Sequence, residues 1–268
     1  MFCGRIFLMK AFINILSSFP RYLWTGWGAI ASLFLFLAIW DLGNQLNGSL
    51  TLPSPQETFV SLWHILQNDA MWNNILITVQ RAAWGFVIAV VLGVVLGMLA
   101  GSFVTASIMS RPIITVMMGV PPIAWIILAL MWFGMSDGSV IFTLVVASFP
   151  IVFVGALQGT RTLEGDLTDM SNSFKIPFWM KLTDVYFPHV FSYIFPATVS
   201  ALGMTWKVVI MAELLSTSDG IGASLAVARS HFDSAVAMAL VLIMVIFLLL
   251  VEYVLLEPIK REVEQWRN

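Results

Sequence analysis

Charge is scarce in this chain. Asp, Glu, Lys and Arg make up 10% of its 268 residues, against about 25% in a soluble domain. Apolar residues make up 59%. That balance excludes a disordered chain and an ordinary soluble enzyme. A net charge of −2 leaves no basic surface for nucleic acid. The one cysteine, Cys3, can form neither an internal disulfide nor a thiolate cluster. The three histidines, His64, His189 and His231, have no metal-ligand spacing, so no metal site is expected. The five lysines follow Met9, Phe174, Met180, Trp206 and Ile259, so the Gly-Lys of a phosphate-binding loop is missing. No nucleophile–base set and no paired catalytic carboxylates occur either. What is present in quantity is long apolar sequence, and that makes an integral membrane protein.

A span needs roughly 20 mostly apolar residues. Six segments qualify: 24–40, 77–101, 112–133, 139–157, 190–214 and 235–256. A transmembrane β-barrel is excluded, because its strands are alternating segments of about ten residues. Ten of the thirteen cations fall on one side of this arrangement: Arg5, Lys10, Arg21, Arg111, Arg161, Lys175, Lys181, Lys260, Arg261 and Arg267. The excess of cations marks the cytoplasmic side, so both termini are expected there. Segment 41–74, without Lys or Arg, is expected outside. Residues 1–23 read as a retained cytoplasmic segment rather than a signal peptide, because Pro20-Arg21 breaks the apolar stretch and no small-x-small cleavage site follows.

Local patterns add detail. Phe59, Leu62, Trp63 and Leu66 fall at helical spacing after Ser54 and predict an amphipathic helix over 57–66, lying at the outer interface. Gly93, Gly97 and Gly101 stand four apart, which lets helix backbones approach closely. Pro121-Pro122 removes two backbone donors in mid-span, and a broken helix at that depth belongs in the protein interior or beside a cavity. Lys207 and Glu213 put charge into the fifth span, where an ionised group costs about 2.5–3.5 kcal/mol and is kept for a reason. Six residues separate them, about 9 Å of helix rise, and they point in different directions. Two readings stand for each: a contact to solute, or a structural ion pair or carbonyl contact. The substrate-path candidates are Pro121, Pro122, Trp125, Met204, Trp206, Lys207 and Glu213.

Segment 158–188 is too polar for the membrane and too short for a domain. Leu163, Leu167, Met170 and Phe174 fall at helical spacing, Ile176-Pro177 interrupts, 178–187 predicts a second helix, and Pro188 opens the next span. The run Asp169-Met170-Ser171-Asn172-Ser173-Phe174-Lys175, with Val185, Phe187 and Pro188 behind it, resembles the EAA loop of ABC transporter permeases. Asp169 takes the Glu place, Met170 and Ser171 the two Ala places and Lys175 the Gly place. Three further blocks resemble the nitrate/sulfonate/taurine-type permeases. They are Thr78 to Phe86 (T-x-x-R-x-x-x-G-F), Pro121 to Trp125 with Trp132-Phe133-Gly134, and Trp206 with Glu213-Leu214-Leu215 and Gly220-Ile221-Gly222. Together they cover the chain from about residue 50 onward. The loop departs from its pattern at Lys175, since a non-glycine residue in a left-handed turn costs about 1–2 kcal/mol. The turn there is expected to be built differently.

The resemblance implies an all-α integral membrane protein of the type I ABC importer permease fold: one transmembrane domain over 1–268, with six spans and a coupling loop at 158–188. It implies a non-catalytic subunit in the bacterial cytoplasmic (inner) membrane, with no cofactor of its own, ATP being bound by a separate ABC ATPase dimer. A soluble or lipid-anchored binding protein and a second permease copy complete the assembly, within membrane lipid and without nucleic acid. Leu167, Asp169, Met170, Ser171, Phe174, Lys175 and Pro188 are the expected ATPase contacts. The solute is expected to be a small organic anion such as a sulfonate or taurine, or nitrate; the alternative is a pyrimidine or riboflavin-like vitamin precursor. A membrane scaffold and a secondary transporter are the rival classes, and the latter would show a second broken helix in its other half.

Overall fold

The computed structural model describes Gly28, residues 30–162, 177–180, Thr183, residues 186–251 and Tyr253. The expected N-terminal segment 1–23 lies outside the described residues. So do Leu167, Asp169, Met170, Ser171, Phe174 and Lys175 of the coupling loop. Among the described residues the regular structure is entirely helical. Residues 30–47 form α1. There follow α2 (Pro55–Leu66), α3 (Asp69–Ser102), α4 (Val104–Gly119), α5 (Pro122–Phe133) and α6 (Asp137–Arg161). After a helical turn at Phe178–Met180 come α7 (Phe187–Ser216), α8 (Ile221–Ser230) and α9 (Ser234–Leu250).

Three of these, α3, α6 and α7, are long and apolar enough to cross a membrane. α4 and α5 together make a fourth, bent by 94° at Val120-Pro121. α9 is apolar over 17 residues. The single third segment expected at 112–133 is thus two helices, and the first begins already at Val104. Residues 104–111 include Thr105, Ser107, Ser110 and Arg111 and read as a connection. Ser107 is nevertheless buried, and Arg161 Nη1 donates to its hydroxyl at 2.9 Å. The expected loop at 158 likewise begins later, because α6 continues to Arg161. α8 occupies what reads as an outer connection.

α2 begins at Pro55, two residues before the expected 57, because Ser54 caps it. Ser54 Oγ accepts from the Glu57 N–H at 3.2 Å, and the Glu57 carboxylate accepts from the Ser54 N–H at 2.9 Å. This reciprocal box satisfies two N-terminal donors that the helix itself cannot. Ser54→Ala is expected to cost about 1 kcal/mol locally. Hydrogen exchange at the first-turn amides of α2 should then speed up about fivefold; unchanged rates would mean the box is not formed.

The bundle is organised on α6, which packs most extensively against α3 on one side and α7 on the other. The small-residue stripe of α3 serves this contact: Gly93 faces Val152, Gly97 faces Phe153 and Ala156, and Gly101 faces Thr160. Ala82, Ile126, Leu144, Val209 and Ala212 fill the middle. Ile65, Ile75, Ile221, Leu240 and Met244 tie α2, α3, α8 and α9 together at one end. The outward face of α3 remains apolar, with Val87, Val91, Val95 and Leu99 about half exposed. An exposed apolar helix face of this kind suits a lipid environment.

Candidate functional site

The bend between α4 and α5 follows from two prolines in series. A residue before proline is pushed out of the helical region, and here that applies to Val120 and then to Pro121. Val120 has φ −80° and ψ 124°, and Pro121 has φ −58° and ψ 141°. Two consecutive extended residues turn the chain. Neither proline can donate to the Met117 and Met118 carbonyls one turn earlier. A cavity of about 190 Å³ opens at this point, lined by Met117, Pro121, Pro122, Trp125, Ile151 and Met204 among others. Four sequence candidates, Pro121, Pro122, Trp125 and Met204, therefore share one wall. The Trp125 indole Nε1 is buried with no hydrogen-bond partner among the described residues. A sealed donor left in this state costs about 1–3 kcal/mol.

The other three candidates lie elsewhere. Trp206 is buried, stacks on Phe247 at 4.4 Å between centroids, and donates from Nε1 to the Met244 carbonyl at 3.3 Å. Lys207 is exposed at the rim of a separate apolar groove of about 520 Å³, between Val79 and Phe86 of α3, Leu202 of α7 and Phe247 of α9. Glu213 is fully buried in a polar node.

That node is the feature the sequence concealed. Arg81 on α3 uses all five of its N–H groups. Nε donates to Asp137 Oδ1 at 2.8 Å, and Nη1 to Glu213 Oε1 and the Asp219 carbonyl, both at 2.9 Å. Nη2 donates to Asp137 Oδ1 at 2.5 Å and to Asp219 Oδ1 at 2.6 Å. Thr78, one turn before Arg81, donates to Glu213 Oε2 at 2.8 Å and accepts the Ile221 N–H at 2.9 Å. The Gly222 N–H donates to Glu213 Oε2 at 3.1 Å. Gly220 must be glycine twice over. Its φ is 100°, and a Cβ there would lie 2.5 Å from the Glu213 carboxylate. Thr78 and Arg81 come from one sequence block, and Glu213 and Gly220 to Gly222 from another, and here the two meet. A lone arginine three residues after a threonine in an apolar helix was the available signal. Its partners, 56, 132 and 138 positions away, were not.

The family model described as "Binding-protein-dependent transport system inner membrane component" matches residues 89–257. The chain belongs to this family. The motif resemblance to ABC importer permeases thus holds, and the protein is a membrane component of a binding-protein-dependent transport system. The nitrate import permease protein NrtB of Synechococcus elongatus is 26% identical over 203 residues, 72% of this chain and 73% of that one. The putative aliphatic sulfonates transport permease protein SsuC of Bacillus subtilis is 24% identical over 236 residues, 87% of this chain and 85% of that one. The bicarbonate transport system permease protein CmpB of Synechococcus elongatus is 26% identical over 206 residues, 72% and 73%. The broken helix encloses a cavity, while the Arg81 node ties the body of α3 to the start of α6, the end of α7 and the start of α8.

Proposed function

We propose that the chain is the permease subunit of an ATP-driven importer of a small anion. The observation that carries this is the family match joined to a cavity at a membrane-depth helix break, where non-helical backbone is tolerated beside protein or a water-filled space. Three relatives are named for nitrate, aliphatic sulfonates and bicarbonate. All are anions, which favours an anion over a vitamin precursor here. The permease crosses the bacterial cytoplasmic membrane six times, with both termini and the 158–188 loop on the cytoplasmic side. The Arg161–Ser107 end of the bundle faces the cytoplasm, and the Arg81 node faces out. Two copies pair, each docking its loop on one subunit of an ATPase dimer, and a binding protein delivers solute to the outer face. The permease performs no chemistry and holds no ATP. Leu167, Met170 and Phe174 anchor the loop in an apolar groove of the ATPase, and Asp169 and Lys175 orient it.

The test is a pull-down of the tagged permease from its native membrane. The ATPase should co-purify with the unaltered chain. Phe174→Glu places a charge in the docking contact, so it should lose the ATPase and abolish uptake while inserting at normal level. Normal co-purification and uptake in the variant would overturn the docking reading.

A further inference from the structure

Segment 158–188 leaves the bundle at the end of α6 and returns to it at the start of α7. At that point the two helices are joined by a side-chain bond: Thr162 Oγ1 and His189 Nε2 lie 2.9 Å apart. Its direction follows from the single proton of the hydroxyl. Thr162 Oγ1 donates that proton to the Gln158 carbonyl at 2.9 Å. It therefore accepts from the imidazole, whose Nε2 carries the hydrogen. The His189 ring rests against the Tyr193 ring with centroids 5.3 Å apart, and the Ser192 hydroxyl donates to the His189 carbonyl at 2.7 Å. A contact between residues 27 positions apart thus forms a neck, from the C-terminal cap of α6 to the first turn of α7.

Behind the neck the two helices are held by close backbone approach. A Cβ on Gly159 would lie 3.0 Å from Tyr193 Cβ and 3.1 Å from the Val190 carbonyl oxygen, and a Cβ on Gly155 would collide with Ala197. Further along, the Ser148 and Thr205 hydroxyls are buried 2.7 Å apart. These rungs follow one another along antiparallel helices without a slip. At the far end Ala147 and Met204 line the cavity at the helix break. Ala147 to Thr162 and His189 to Met204 each span 15 residues, about 22 Å of helix rise. The inner rungs are packed and buried, whereas Thr162 is exposed. The neck is therefore where the pair can open, and one hydrogen bond closes it there.

We propose that Thr162 and His189 are positioning residues for coupling: their hydrogen bond holds the two ends of segment 158–188 together, so that α6 and α7 move as one lever between the ATPase and the helix break. With the bond made, closure of the ATPase dimer has to carry the α6–α7 pair with it. With the bond lost, the pair opens at its end, the segment moves alone, and ATP is hydrolysed without turning the bundle. The proposal rests on the permease reading above and adds to it the residues that tie the segment to the spans.

The test measures ATP hydrolysis by the complete permease–ATPase complex in lipid vesicles, without binding protein or solute. His189→Leu removes the donor, and Thr162→Val removes the acceptor at nearly equal volume. Each should raise this basal hydrolysis about fivefold, the change in open fraction that one neutral hydrogen bond allows, while the ATPase co-purifies at the parent level. The double variant should be no faster than either single one, because both remove the same bond. His189→Gln keeps an N–H donor and should bring the rate back toward the parent. Cys3 is the only cysteine, so Thr162→Cys with His189→Cys can be joined in a Cys3→Ser background by a one-methylene bis-methanethiosulfonate linker. The joined complex should hydrolyse at the parent rate, and reductant should release the fivefold rise. Basal rates that stay at the parent level in both single variants, or that linking and reduction do not move, would overturn the proposal. A fall in hydrolysis with loss of ATPase would also overturn it, because the pair would then only support docking. If the ATPase co-purifies while the rates do not move, the neck fails and the permease reading stands. If no ATPase is recovered with the unaltered chain, both fail.

Discussion

Arg81→Met is expected to destabilise the permease by about 3–5 kcal/mol, the range for removing one partner of a buried ion pair. The reason is Glu213. Its side chain is fully buried, and Arg81 is its only ion-pair partner among the described residues. Thr78 and the Gly222 N–H would still hydrogen-bond it, but neither supplies charge. The double variant Arg81→Met with Glu213→Gln should recover much of the loss, because no uncompensated carboxylate then remains. Asp137 and Asp219 are 68% and 49% exposed, so Asp137→Asn should cost at most about 1 kcal/mol. Thermal unfolding of detergent-purified protein, read with the monodisperse fraction, measures all three. If Arg81→Met melts with the parent, or if the double variant is worse than the single one, the node is not a structural closure.

Gly97→Leu should be nearly as damaging, by a steric route. A Cβ at Gly97 would lie 2.6 Å from the Phe153 carbonyl oxygen and 2.8 Å from Ala156 Cβ. A helix carbonyl cannot swing aside like a long side chain, so α3 and α6 must separate along their main contact. Overpacking of this kind costs about 1–3 kcal/mol for an added methylene or two, and a leucine adds four carbons, which places the cost at or above about 3 kcal/mol. Gly203→Ala is the matched control, since nothing lies within 4 Å of a Cβ there. Relief of glycine's backbone entropy should make it neutral or stabilising by up to about 1 kcal/mol. Equal melting of Gly97→Leu and Gly203→Ala would show that the α3–α6 contact is looser than described.

What could be read from the sequence was local. α2 was legible because its cap is a matter of Ser54 and Glu57, three residues apart. The bend at Pro121-Pro122 was legible because proline geometry acts on immediate neighbours. The cores of α3, α6 and α7 were legible because lipid demands unbroken apolar length. The start of α4 was not, since Ser107 and Arg111 look like a connection until Arg161 is brought beside Ser107 by the packing of α6. Nor was α8, ten residues with Gly222 inside them. Of the candidate site, Pro121, Pro122 and Trp125 belong together because the chain turns there, and Met204 joins them only through the packing of α7. Glu213 separates from them because its partners are set by tertiary contacts. Lys207 and Glu213 were singled out together as intramembrane charges, yet the structure puts one on an exposed groove and the other in the node.

The node also bears on how the protein is made. A chain is synthesised and inserted from its N-terminus, so Arg81 reaches the membrane long before Glu213 is translated, 132 residues later. Until then Asp137 is the only side chain of the final set that can meet it, because Glu213 and Asp219 both come later in the chain. The five-donor arrangement closes only when α7 and the turn at Gly220 have arrived. A nascent chain that stops short of that point keeps a guanidinium without its buried counter-charge, and so carries in its own membrane segment a mark of incompleteness for quality control to act on.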